Sequence, residues 1–285
     1  MYPASFAYHR AASVDEAVSL LARYGDQAKL IAGGHSLIPL LKLRFAQPAH
    51  LIDVRHIHAL HGIAESDGAV VIGAATTHWV VASSDLLRRT HPIVPEAAAL
   101  IGDPQVRNMG TIGGSLAHAD PAADLPAVML AVGAEMTAVG PGGSRTIKAD
   151  DFFVDLLTSA LAPDEVLTQV RLPLPPAGTA GAYEKYPHPA SRYALVGVAA
   201  VLTLAGGMVQ RARVALTGVS SRAMRAAATE RELVGKRPDA AALDAAAAHI
   251  ADGLDLRTDT FGSAEWRRAI AVAHARRALG RAAGV

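Results

Sequence analysis

The residues best suited to chemistry in this chain lie in two short turns that combine glycines with hydroxyl side chains. The first is Ala32-Gly33-Gly34-His35-Ser36, where an apolar strand pattern stops and a helical pattern begins. Glycine lets a ligand approach the main chain and tolerates positive φ. Amides at a helix start have no partner within the helix, and the dipole favours negative charge there. A pyrophosphate is a suitable guest, and the Ser36 hydroxyl can add a donor. The alternative is a plain strand-to-helix turn with a serine cap. The second turn is Thr111-Ile112-Gly113-Gly114-Ser115, whose glycine amides can form an anion-binding nest. Asp124, further along, can accept from a sugar hydroxyl or cap the helical pattern Leu125–Val132.

Other polar groups leave their alternatives open. His56, His58 and His61 stand near Asp53 and can be metal ligands or scattered loop residues. His35 can touch a cofactor or fill its turn. His118 and Asp120 can meet a cofactor or a partner, or serve the loop that carries them. Arg267, Arg268, Arg276 and Arg277 read as a solvated helical face or a subunit contact, and Trp79 and Trp266 as core or interface residues. There is no G-x-G-x-x-G, no G-x-x-x-x-G-K-[ST] and no G-x-S-x-G, so the Rossmann, P-loop and nucleophile-elbow arrangements are not indicated. No side chain stands out as a general acid or general base.

The elements that must position these turns alternate in type. Ser13 and Glu16 form a capping box ahead of a helix that Gly25 ends. Ala28–Ala32 and Leu51–Val54 read as strands flanking a second helix from His35, a small parallel βαβ unit. Strands are expected at Gly62–Glu65 and Ala69–Ala74, then helices at Thr77–Leu87 and Pro95–Ile101. Gly102–Asp124 has no usable periodicity and reads as a long functional loop. A hairpin turns at Gly140–Gly143, and Val166–Leu172 is a further strand. Pro173–Pro176 is the clearest boundary. Beyond it, Leu195–Leu204 and Met208–Val219 form a hairpin, and Ala223–Val234, Pro238–Ala251 and Ser263–Ala282 are helical.

Composition narrows the function classes. The 285 residues are 51% hydrophobic and 19% charged, enough for a real core. Lys and Arg number 27 against 26 Asp and Glu, a net charge of +1, so nothing drives the chain toward nucleic acid. The chain has no cysteine, which excludes disulfides, thiolate catalysis and Cys-held zinc or iron–sulfur clusters within it. The start lacks a secretory h-region. The longest apolar run, Ala194–Ala205, is too short for a membrane span, which needs roughly 18–20 residues. A cytoplasmic protein is the expectation.

AGGHS at 32–36 and TIGGS at 111–115 together resemble the two FAD-binding loops of the flavoprotein (medium) subunit of the molybdenum hydroxylases, the carbon monoxide dehydrogenase and xanthine dehydrogenase family. FAYHRAASVDEAVSLL, GDPQVRNMGTIGGS, AYEKY at 182–186 and the closing SAEWRRAIAVAHARRAL extend the resemblance over nearly the whole chain. It implies an α+β fold: a vanillyl-alcohol-oxidase-type (PCMH) FAD-binding domain at 1–174, in subdomains of about 1–58 and 59–174, then a C-terminal domain at 178–285 with an antiparallel sheet and a helical bundle. It implies that Lys29, Leu30, Ile31, Ala32, Gly33, Gly34, His35, Ser36 and Leu37 wrap the FAD pyrophosphate, and that Thr111, Gly113, Gly114 and Ser115 hold its second side. Asp124 would contact the cofactor, with Ile101, Leu167 and Lys185 near the flavin ring. Ser115 stands where the family often has Asn. The implied partners are a large molybdopterin subunit and a small subunit carrying two-iron two-sulfur clusters, in a dimer of heterotrimers. The implied function is electron transfer through FAD to an external acceptor. A self-contained FAD oxidoreductase and a non-enzymatic nucleotide-binding module are the alternatives.

Overall fold

The computed structural model describes residues 1–285. The opening capping box forms: the Ser13 hydroxyl accepts from the Glu16 amide at 3.1 Å, and the Glu16 carboxylate accepts from the Ala12 amide at 2.7 Å. Helix Val14–Tyr24 follows and ends at Gly25, φ 52°. It packs on a three-stranded parallel sheet in the order Ala7–Arg10, His50–Asp53, Ala28–Ile31. The parallel βαβ unit is therefore present, and Ala7–Arg10 completes its sheet.

The second sheet is antiparallel, in the order Ile63–Ser66, Ala69–Gly73, Val166–Pro173, Glu135–Gly140, Gly143–Lys148. Between Gly73 and Glu135 the chain makes an excursion of six helices. Two expectations fail there. Thr77–Leu87 is not one helix but two, His78–Ser83 and Asp85–Thr90, because the Ser84 hydroxyl caps a new start on the Leu87 amide. Gly102–Asp124 is not a structureless loop, since Pro104–Met109 and Ile112–His118 are helical. Asp103 caps the first at Val106 and Thr111 caps the second at Gly114. Caps and tertiary contacts override the low helix propensity of Gly, Pro and Asn in such short pieces.

The third sheet, in the order Thr179–Pro187, Ala194–Ala205, Met208–Thr217, Met224–Arg225, is antiparallel. Its apolar strand Ala194–Ala205 is covered on both faces, which explains the absence of alternation. Val196, Val198, Ala200 and Leu202 pack with Ala271, Ala275 and Ala278 of helix Ala264–Ala283. Ala199 joins the core of helix Asp124–Val132 and the second sheet. Arg267 corrects the solvated-face reading of the last helix. It is fully buried, donating to the Leu195 and Gly218 carbonyls at 2.6 and 2.7 Å and to Asp259 at 2.7 and 2.8 Å. Arg268 and Arg276 do lie outside, paired with Asp252 and Asp244. Trp266 packs edge-on against Tyr186, whereas Trp79 is half exposed.

Candidate functional site

The first glycine turn packs against the main chain that leads into the second. A methyl group added at Gly33 would fall 2.3 Å from the Met109 carbonyl oxygen and 2.7 Å from the Gly110 Cα. Glycine at 33 is thus required by the contact between the turns. Gly34 is required by its backbone, with φ at +74°. The amides of Gly33, Gly34, His35, Ser36 and Leu37 donate to no group of the chain. They sit between strand Ala28–Ile31 and helix Leu37–Lys42, and Ser36 makes no side-chain cap bond.

The second turn works differently from the expected nest. Gly113 donates to the Ala74 carbonyl at 2.8 Å and Gly114 to the Thr111 hydroxyl at 3.1 Å. Its glycine amides are already spent on the fold. What this turn can offer a ligand is the Ser115 hydroxyl and a close glycine surface. Gly113 has no room for a side chain, since a Cβ would lie 2.6 Å from the Ala74 carbonyl oxygen.

Both turns line one cleft of about 710 Å³. Lys29 to Leu37, Ile101, Thr111, Gly113, Gly114, Ser115, Asp124 and Leu167 all border it, as do His118 and Asp120. Lys185 does not border it but lies directly behind Asp124, donating to that carboxylate at 2.8 Å and to the Leu100 carbonyl at 3.1 Å. Asp124 is not the N-cap residue it resembled in sequence. Ala123 holds that position, and Asp124 opens the helix with its side chain turned to Lys185 and to the Tyr183 hydroxyl, 2.7 Å away. Burial pushes the Asp124 carboxyl up and the Lys185 ammonium down, and the contact between them opposes both shifts.

His35 donates from Nδ1 to the Gly33 carbonyl at 3.0 Å, which fixes its ring over its own turn. The three histidines near Asp53 are not gathered. His61 turns to the Arg55 carbonyl at 2.7 Å. Asp53 is occupied by Tyr8 and Arg55; burial alone would raise its carboxyl, but these hydrogen bonds hold it down at about 2.

Of the further residues that line the cleft, three groups bear most on its chemistry. One is the segment Leu157–Thr158–Ser159 with Leu161, Ala162 and Pro163, and another is Ser191, Arg192 and Tyr193 from the turn that joins strands Thr179–Pro187 and Ala194–Ala205. Arg192 has φ 60°, a conformation that side chains avoid. The third is His78, only 5% exposed. Burial pushes its imidazole down from 6.5 to about 4, with His35 and Arg107 adding repulsion. The unfolded ring gains its proton below pH 6.5, whereas the folded ring resists until about pH 4. Stability is therefore complete above pH 6.5 and falls on acidification by up to about 1.4 kcal/mol per pH unit. Urea unfolding of wild type and His78→Gln at pH 7 and pH 5 is expected to show a smaller acid loss in the variant. An equal loss would contradict a buried neutral imidazole.

A row of free amides, glycines at close quarters and apolar side chains at Ile101, Leu161 and Leu167 suit a ligand with a phosphate group and a flat ring. Comparison with known proteins agrees with this chemistry. Residues 4–175 match the family model described as the FAD binding domain in molybdopterin dehydrogenase, and residues 181–282 match the CO dehydrogenase flavoprotein C-terminal domain. The carbon monoxide dehydrogenase medium chain of Afipia carboxidovorans is 44% identical over 99% of this chain and 98% of that relative. The 6-hydroxypseudooxynicotine dehydrogenase complex subunit alpha of Paenarthrobacter nicotinovorans is 40% identical over 99% and 96%. Among solved structures, carbon monoxide dehydrogenase from Hydrogenophaga pseudoflava, in a form lacking the Mo-pyranopterin moiety of its molybdenum cofactor, superposes with a TM-score of 0.96. It is 45% identical and covers 99% of this chain and 98% of its own.

Proposed function

Because this chain belongs to the FAD-binding medium-subunit family of the molybdenum hydroxylases, we propose that its cleft holds FAD through the residues that border it and passes electrons from a partner's clusters to an external acceptor. The observation that carries this reading is the row of unpaired amides from Gly33 to Leu37, in one cleft with the second glycine turn, whose leading residues Met109 and Gly110 touch Gly33. These amides bind the diphosphate, assisted by the Ser36 hydroxyl. Ser115 and Thr111 border its other side. Ile101 and Leu167 give the ring an apolar wall, and Asp124, anchored by Tyr183 and Lys185, presents a fixed carboxylate to the cleft. The bound flavin supplies the redox chemistry, while the protein supplies binding, orientation and electrostatics.

The chain comprises an FAD-binding domain at 1–174, with subdomains at about 1–58 and 59–174, and a C-terminal domain at 178–285. This chain has no cysteine to hold an iron–sulfur cluster; a small partner subunit carries the clusters and a large one the molybdopterin. The assembly is a dimer of heterotrimers in the cytoplasm. No helix is long and apolar enough to cross a membrane.

The test is to load the purified chain with FAD and follow the visible spectrum with and without the other two subunits and a substrate. Flavin bleaching only in the complete assembly is the expected result. Substrate turnover by the isolated chain, or a complex that reduces acceptors without flavin, would sink the reading.

A further inference from the structure

His78 begins helix His78–Ser83, and its main-chain amide donates to the Gly110 carbonyl at 2.9 Å. The ring lies over the same glycine, since a Cβ at Gly110 would be 2.8 Å from the His78 Cδ2 and 3.1 Å from its Nε2. Gly110 is also the residue against which Gly33 packs. The imidazole therefore stands over Gly110, where the main chain leading into the second turn packs on Gly33 of the first.

The two ring nitrogens differ. Nδ1 is buried and has no hydrogen-bond partner. A proton there would be an N–H shut away from any acceptor, the costlier way to leave that atom unpaired. The neutral ring thus carries its proton on Nε2. Nε2 also has no partner in the chain, but it is not shut away, and His78 borders the cleft. His35 is arranged the other way, since its Nδ1–H is spent on the Gly33 carbonyl. Arg107, the neighbouring cation, donates to the Ile101 and Gly102 carbonyls.

The geometry points to His78 as a cofactor-binding residue, a neutral donor whose Nε2–H meets an oxyanion of the diphosphate where the two turns join. A hydrogen bond to a charged acceptor is stronger than one between neutral groups. The inference rests on the reading of the cleft as the FAD site and adds a side-chain donor to its main-chain amides.

The test uses the full chain and three probes: FAD, ADP and riboflavin, the last of which lacks the diphosphate. His78→Phe is expected to weaken FAD and ADP about five- to tenfold and to leave riboflavin unchanged. His78→Gln, whose amide nitrogen can take the place of Nε2, is expected to restore most of the loss. FAD binding by His78→Phe equal to wild type would overturn the proposal, as would an equal loss with riboflavin. Should the Phe variant fail to fold, ¹⁵N spectra of histidine-labelled wild type decide. An Nε2–H tautomer whose resonances move with ADP supports the assignment, and an Nδ1–H tautomer or no movement overturns it. Wild-type chain that binds neither FAD nor ADP would overturn the reading of the cleft itself.

Discussion

Gly33→Ala is expected to leave the chain folded and strip it of flavin. The added methyl would meet the Met109 carbonyl oxygen and the Gly110 Cα, both main-chain atoms with no flexible side chain to yield. Gly33 does not itself adopt a positive φ, so the substitution introduces no local backbone strain. Its whole effect is to push the two turns apart, and a diphosphate held by both loses its fit. FAD affinity should fall by about a hundredfold or more, the equivalent of roughly 3 kcal/mol. Gly34→Ala provides the contrast. It forces a side chain into φ +74°, at a cost of about 1–2 kcal/mol to the turn, but faces only side-chain atoms, of Ile38 and Ile31. Flavin-to-protein ratios after gel filtration, with circular dichroism as a check on folding, measure both. A Gly33→Ala chain that keeps its flavin would mean that the turns do not grip one ligand together.

Lys185→Met should be among the most destabilising single changes in the molecule. Lys185 and Asp124 are both about 95% buried in their side chains, at 4% and 5% exposure, and their contact is 2.8 Å. Removing the ammonium leaves a carboxylate inside the protein with only the Tyr183 hydroxyl, and breaking such a pair typically costs about 3–5 kcal/mol. The double variant Asp124→Asn, Lys185→Met should recover much of that loss, because no unpaired charge remains. The deficit of the single variant should also depend on pH. Burial without the lysine raises the folded carboxyl further above its ordinary 3.8, so the protein is penalised while Asp124 is ionised and relieved as it protonates. The deficit is therefore greatest at neutral pH and narrows on acidification. Urea unfolding of the three variants across pH measures this. A deficit under about 1 kcal/mol at neutral pH would show that the pair is not a buried ion pair.

Much of the site was legible because its chemistry is local. Gly33, Gly34 and Ser36 follow directly after a strand, and that succession of residue types already implies open amides. The same reasoning misjudged Gly113 and Gly114. Nothing in TIGGS reveals that Ala74, just past strand Ala69–Gly73, will take up the Gly113 amide, and the cap that Thr111 offers to Gly114 was passed over for the nest. Asp124 resembled a cap because its partners, Tyr183 and Lys185, are about sixty positions away, beyond the reach of any spacing rule. Arg267 looked like its neighbour Arg268 until the Leu195 and Gly218 carbonyls and Asp259 closed around it. The helices between Gly102 and Asp124 were hidden for a related reason. Each is shorter than two full turns and is held by its cap and by neighbouring elements, with little support from its own periodicity.

Strand Ala194–Ala205 has no wet side, and that fact sets how the polypeptide can be cut. Tyr183, Ala199 and Ala215 belong to the same apolar cluster as Val70, Ile93 and Leu125, and Arg281 ties the final helix to Glu96. A fragment ending near residue 175 would therefore bare an oily surface the width of a sheet and would clump when expressed alone. The two stretches recognised as separate sequence modules share one apolar cluster in space, and a split reporter or an inserted tag belongs at the exposed Gly206–Gly207 bend rather than at the junction between them.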